Sequence, residues 1–394
     1  MVYRSGTSRG VLFFAKDLEA APVSSNELVR EQIESKTNST GVDRRDLIAA
    51  RIVGSGHVYA LEGLGGGRSS TMKSLYIHRP PDSEAVVVKF VQSEIERFGV
   101  DETHGDCGNM LPAVGPFAIE TGLVRASGGP STTVKVVSAN TGARYALEVQ
   151  TIPSGSPQSD LKVRYAGDHA ISGVPGTSAP VKVTARGLVG TLGRGLLPTG
   201  NPIDTVEVDG ESIEVSCVDF SRPMVLVRGE DVGMSGRETK SDCDGDVSLM
   251  QKIDRIRLRG AELMGMGCAE GKTSPKIAAV FPPNDTGGNL LVRYFTAPYL
   301  RDLHYGLAMT AAQCIGAATQ VQGTVAHQLA VPPPSEEREA SGEVTRALSF
   351  SQPSGLTWID VVTAGKGSES APIGASYVRT CSPIMQGDAF YPLM

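Results

Sequence analysis

Two short stretches of this 394-residue chain carry groups able to move a proton. Gly65-Gly66-Gly67-Arg68-Ser69-Ser70-Thr71-Met72-Lys73 sets bare amides, hydroxyls and an ammonium side by side. Glycine lets backbone N–H groups approach a carboxylate with no Cβ in the way. Lys73 enters the alternating run Leu75-Tyr76-Ile77, so a partly enclosed lysine is expected, and desolvation favours the uncharged, basic form of an amine. The competing reading is a surface turn with a solvated lysine. Asp106-Cys107-Gly108-Asn109 leads into a helix-forming run, and Pro112 falls where a missing N–H costs nothing. A thiol at a helix N-terminus gains thiolate character from the dipole. An inert buried cysteine fits the same pattern. His104, three residues earlier, is either a partner for that thiol or a structural histidine.

Other motifs fail on context. Gly6-Thr7-Ser8-Arg9-Gly10 has the spacing of a hydrolase nucleophile elbow, which requires a strand, a turn and a helix. Here Val11-Leu12-Phe13-Phe14 continues as strand. Gly271-Lys272-Thr273 resembles the end of a phosphate loop, but Met266 stands where the first glycine is needed. Gly63 to Arg68 lacks the last glycine of a dinucleotide fingerprint. The six cysteines form no C-x-x-C pair, so neither a disulfide framework nor a zinc site is expected. Cys217, Cys243, Cys268, Cys314 and Cys381 read as packing or incidental residues. Ser274-Pro275-Lys276 is an anion contact or a plain turn.

The elements that must position these groups are mostly strands. Leu75–His78, Ala85–Gln92, Val134–Ser138, Tyr145–Ile152, Val181–Ala185, Pro223–Val227 and Leu356–Val362 are rich in β-branched residues and bounded by turn formers. Val206 to Val215 alternates around Asp209-Gly210, a hairpin signal. Apolar periodicity predicts helices over Glu27–Ser35, Asp43–Val53 and Val247–Met264. Leu111–Leu123 and Ala311–Val325 are small-residue-rich and weakly amphipathic, as helices enclosed by sheet would be. Pro332 to Gly342 reads as a solvated loop. The Gly173–Pro180 stretch separates lobes 1–180 and 181–394, the C-terminal tail being free to return to the first. The expected class is α+β, with two similar lobes.

Forty per cent apolar and twenty per cent charged residues exclude a disordered chain. A net charge of −6 gives no electrostatic case for nucleic acid or an anionic membrane. Apolar runs such as Ala85 to Val88 are far shorter than the ~20 residues of a membrane span. Met1-Val2-Tyr3-Arg4 runs straight into a glycine-bearing motif, so a cytoplasmic location is expected.

Taken together these clusters resemble the PrpF family, 2-methylaconitate cis-trans isomerases and relatives within the diaminopimelate epimerase-like superfamily. Arg4 to Gly10 is similar to the family's opening R-G-G-T-S-K-G, and Glu62 to Lys73 to its D-G-L-G-G-G-x-S-S-T-S-K. Cys107 to Glu120 nearly completes its C-G-N helix motif. Gly173–Pro180, Leu196–Gly200, Ser274–Ala278 and Val378–Thr380 match its remaining signatures, so the likeness runs almost end to end.

The resemblance implies two lobes, each a β-sheet wrapped round a central helix, with an active-site cleft between them. It implies cofactor-independent double-bond isomerisation of small unsaturated di- or tricarboxylates, with Lys73 and Cys107 exchanging the proton. Substrate contacts are expected from Ser5, Thr7, Ser8 and Arg9, from Gly66, Gly67, Arg68, Ser69 and Ser70, and from Gly108, Asn109, Ser274, Lys276 and Thr310. No metal, nucleic acid or membrane partner is expected, and a homo-oligomer is left open. Ser5, Arg9 and Met72 depart from the family's Gly, Lys and Ser, and Arg222-Pro223 stands for its Asn-Pro. Epimerases of the superfamily carry a second cysteine at about Thr310, which disfavours two-thiol racemisation here. Amino-acid epimerisation and a non-catalytic carboxylate-binding role are the alternatives.

Overall fold

A computed structural model describes residues 1–21, 27–102, 105–152, 162–295, 303–333, 336–338, 342–365 and 370–390. The chain divides into two compact units, Met1–Val183 with the stretch from Arg379 onward, and Thr184–Val378.

The first unit runs β1 (Val2–Ser5), β2 (Ser8–Phe14), α1 (Ala15–Ala20), α2 (Glu27–Thr40), α3 (Arg44–Ile52), β3 (Lys73–His78), β4 (Val86–Gln92), α4 (Leu111–Glu120), β5 (Ser131–Ser138) and β6 (Arg144–Gln150). β7 (Pro180–Arg186) carries the chain into the second unit. Pairing is antiparallel for β1–β2, β3–β4 and β5–β6, and parallel for β2–β3 and β4–β5. Asp43 caps α3 by accepting from the Arg45 amide at 2.8 Å, and the helix buries Leu47, Ile48 and Ile52. α4 is buried from Leu111 through Ile119 and lies against β1, β5 and β6. Gly115 permits that contact, because a Cβ there would stand 2.5 Å from Val149 Cγ2.

The second unit continues with β8 (Asp204–Val208), β9 (Glu211–Phe220), β10 (Arg222–Arg228), α5 (Lys240–Gly245), α6 (Val247–Leu263), β11 (Lys276–Phe281) and β12 (Leu290–Phe295). Then follow α7 (Met309–Thr319), α8 (Val325–Leu329), β13 (Glu336–Arg338), β14 (Val344–Gln352), β15 (Gly355–Ala364) and β16 (Ala371–Met385), whose far end pairs with β1. The β8–β9 hairpin turns on Asp209 and Gly210 with φ of 57° and 83°, the two left-handed residues of a type I′ turn. β9–β10, β11–β12 and β14–β15 are antiparallel, while β10–β11 and β12–β14 are parallel. That order repeats the first unit strand for strand, with α7 in the place of α4. α7 is buried along its whole length.

Three expectations are corrected. The helix from Leu111 stops at Glu120, because Gly122 takes φ 75°. The helix expected over Ala311–Val325 is two: the first ends at Thr319 with Gln320 as its C-cap, and Thr324 caps the second through the His327 amide. Within the supposed loop Pro332–Gly342, Glu336–Arg338 pairs with β14 as a short edge strand. Among the described residues no helix is long and apolar enough to cross a membrane.

Candidate active site

Lys73 opens β3 beside Gly10, where a Cβ would stand 3.0 Å from the Lys73 carbonyl oxygen and 2.7 Å from Met110 Cε. The antiparallel register places Gln92, the last residue of β4, directly opposite. Lys73 is buried, and its Nζ donates to Gln92 Oε1 at 2.9 Å and lies 5.1 Å from the Phe90 ring centre. The same Nζ reaches Cys107 Sγ at 3.5 Å. The two residues singled out for proton transfer are therefore in contact.

Cys107 is half-buried, and its carbonyl accepts the amides of Met110 and Leu111 at 2.9 and 3.1 Å, so α4 winds up from it. The preceding Asp106 is buried and fixes the loop. Its carboxylate accepts from Ser138 Oγ, from Thr141 Oγ1 at 2.6 Å and from Tyr145 OH at 2.6 Å. Asn109 is buried next to it: Nδ2 donates to Thr7 Oγ1 at 3.1 Å, and Oδ1 accepts from Arg379 Nε at 3.4 Å. Gly6, at φ 53°, lets the β1–β2 turn close on Asn109, since a Cβ there would fall 2.4 Å from Asn109 Oδ1. Gly6 to Gly10 thus forms a hairpin between two strands, which is no hydrolase elbow.

The glycine-rich run has a double role. A Cβ on Gly65 or Gly67 would lie 2.3 Å from Val53 O or 1.9 Å from Val58 O, so both glycines are needed for packing. The carbonyls of Arg68, Ser69 and Ser70 turn inward, onto Thr71 and Met72 amides, Gln92 Nε2 and the Arg9 amide respectively. The backbone N–H groups of Gly66, Gly67, Arg68, Ser69 and Ser70 meet no acceptor among the described residues. Gly66, Arg68 and Ser69 are exposed and Gly67 and Ser70 half-buried, so these amides are open to solvent or to an anion. Arg9 donates Nη2 to Gly65 O at 2.6 Å, which braces the run. Ser8 is buried at the start of β2, and Ser5 is fully enclosed, its Oγ without a partner among the described residues.

In the second unit, Ser274 precedes β11, Lys276 is buried as its first residue, and Thr310 is buried in the first turn of α7. The Ala308 carbonyl accepts the Ala312 amide at 2.9 Å, as Cys107 does from Leu111. Ala308 is the N-cap residue of α7, and no cysteine stands in the first turn of that helix. Cys314 lies deeper, donates to Val218 O at 3.5 Å, and is pushed well above the ordinary thiol value by burial. Burial pushes Cys217 and Cys381 up to about 12. Cys268 is exposed. His104 lies outside the described residues. A cavity of about 340 Å³ in the first unit, lined by Phe13, Phe14, Leu18, Phe117 and Met385, takes in neither Lys73 nor Cys107.

Gln92 and Asp106 carry this geometry and were not singled out from sequence. The one available signal was a polar residue closing the apolar run Ala85–Gln92.

Comparison with known proteins gives a consistent picture. The family model described as PrpF protein matches residues 1–392. The (4E)-oxalomesaconate Δ-isomerase of Novosphingobium sp. strain KA1 is 32% identical over 99% of this chain and 96% of its own. The 2-methyl-aconitate isomerase of Shewanella oneidensis is 30% identical over 98% and 94%. The crystal structure of methylitaconate-Δ-isomerase superposes with a TM-score of 0.72 at 29% identity, covering 98% of this chain and 93% of that one. A hydroxyproline epimerase from Agrobacterium vitis, at 12% identity and a TM-score of 0.54, shares the fold.

Proposed function

Because the chain belongs to the PrpF family, we propose that it isomerises a C=C bond in a small unsaturated di- or tricarboxylate, with Lys73 and Cys107 as the proton-transfer pair. The contact of Lys73 Nζ with Cys107 Sγ at 3.5 Å, beside the unpaired amides of Gly66 to Ser70, carries the reading. The names of the relatives, an oxalomesaconate Δ-isomerase, a 2-methyl-aconitate isomerase and a methylitaconate-Δ-isomerase, support the substrate class.

The chemistry follows from the groups. A neutral Lys73 amine takes the proton γ to a conjugated carboxylate: the C–H bond breaks, N–H forms, and the electron pair spreads through the double bond into the carboxylate as a dienolate. Protonation at the α-carbon, by the Lys73 ammonium or the Cys107 thiol, completes the shift of the double bond by one position. The glycine-run amides and the entry to α4 stabilise the charge that builds in between. Two-thiol epimerisation lacks its second thiol, because Ala308 stands at the entry to α7.

Deuterium wash-in followed by NMR over aconitate, methylaconitate, itaconate and oxalomesaconate tests the proposal. Allylic exchange is expected in one of these acids. Lys73→Ala and Cys107→Ala should each slow it by about 10²–10⁴-fold with folding retained. Wild-type turnover in either variant removes that residue from the mechanism. Exchange at the α-carbon of an amino acid, with none in the unsaturated acids, overturns the substrate class.

A further inference from the structure

We propose that Gln92 is the residue that positions Lys73 for proton transfer, holding the amine by a neutral acceptor while leaving its lone pair open to substrate. The inference rests on the Lys73–Cys107 reading above and extends it to a residue outside the proton-transfer pair.

Three contacts fix which end of the carboxamide faces the lysine. Gln92 Nε2 donates to Met72 O at 3.0 Å and lies 3.3 Å from Ser69 O and 3.4 Å from Ser93 O. All three are acceptors only, so a flipped amide would turn its oxygen onto three carbonyls and bury an unsatisfied group. Oε1 is therefore held toward Lys73 Nζ at 2.9 Å.

This orientation has a chemical consequence. A neutral amine has two N–H donors and one lone pair. Gln92 Oε1 takes one N–H, and Cys107 Sγ at 3.5 Å takes the other. The tetrahedral nitrogen then directs its lone pair to the remaining corner. Because the NH₂ end of Gln92 is held elsewhere, it cannot donate to that lone pair and neutralise the base. An acceptor without charge also aligns Lys73 without pinning a proton on it, as a carboxylate would.

The other ionisable groups on the two strands flanking β3, and the one beside Cys107, all have partners. Arg9 of β2 donates to Gly65 O. Lys89 of β4 lies 3.7 Å from Asp46. Asp106, beside Cys107, is taken up by Ser138, Thr141 and Tyr145. Cys107 is the one ionisable group whose contact with Nζ is described.

Two substitutions separate positioning from simple packing. Gln92→Glu keeps the shape and adds a charge; Gln92→Met keeps the volume and removes the acceptor. Trace acetylation of Lys73 by acetic anhydride, read by peptide mass spectrometry across pH, reports its neutral fraction without any substrate. Gln92→Glu should slow that labelling about tenfold at neutral pH and move its midpoint upward. Gln92→Met should move the midpoint the other way. In wash-in assays Gln92→Glu should lose kcat at neutral pH and recover it as pH rises, with KM within about threefold of wild type. A Lys73 labelling profile unchanged in both folded variants overturns the proposal, as does wild-type kcat in Gln92→Met. If labelling shifts as stated while no unsaturated acid exchanges even in the wild type, the hold of Gln92 on Lys73 stands and the isomerase reading falls.

Discussion

Arg9 has a fork of donors, and one arm already serves the protein. Its Nη2 bonds Gly65 O at 2.6 Å while its backbone amide bonds Ser70 O at 2.9 Å, so the side chain braces one end of the glycine-rich run and the main chain the other. A lysine offers a single point charge, which can replace the brace or meet a substrate carboxylate, but not both. Arg9→Lys should therefore raise KM by about 5- to 150-fold, equivalent to losing ~1–3 kcal/mol of charge-assisted hydrogen bonding, with kcat changed far less. Steady-state kinetics decide it, and an unchanged KM makes the loop purely structural. Lys73 and Cys107 stood out as candidates in local sequence, a lysine after glycines at a strand start and a cysteine at a helix entry, and the family resemblance supplied their role. Gln92 and Asp106 were not. Gln92 matters through a strand register linking positions 19 residues apart, and Asp106 through hydroxyls 32 to 39 residues away.

Elements with strong punctuation were legible as well. The Asp209-Gly210 hairpin and the capped helices behind Asp43 and Asp246 fall where their turn and cap residues put them. β11 and β12 were missed because the wholly buried strands Lys276–Phe281 and Leu290–Phe295 show no alternation to read. The helix ends were misjudged where a small-residue run continued past a left-handed glycine. Burial in α4 sets a sharp test. Gly115→Ala adds a methyl 2.5 Å from Val149 Cγ2, inside a helix enclosed on its whole length up to Ile119. Overpacking there should cost ~1–3 kcal/mol, although alanine is the better helix former. Denaturant unfolding of Gly115→Ala, Val149→Ala and the double variant measures it. The double variant should recover part of the loss, and strict additivity would show that the two side chains do not meet.

At the scale of the whole molecule, both units repeat one order of strands about a buried helix, and both enclose thiols. Cys381 lies in the first unit, Cys217, Cys243 and Cys314 in the second. Burial raises all four, Cys243 to about 11 and Cys217 and Cys381 up to about 12, and Tyr3 and Tyr76 rise for the same reason. The sign is fixed by linkage: the folded chain keeps protons that the unfolded chain sheds. The stability that Cys217 and Cys381 contribute is full below the ordinary thiol value near 9 and is lost as pH climbs from there through about 12. Each buried thiol adds a slope of up to ~1.4 kcal/mol per pH unit in that window. Thermal midpoints under reducing conditions should therefore hold nearly level between pH 7 and 8.5 and fall steeply above 9. Cys217→Ala should begin lower, from the cavity it leaves, and fall less steeply. A midpoint that stays level to pH 10.5 would mean that water reaches these thiols, and that the sheets do not close over the strands and helices that carry them.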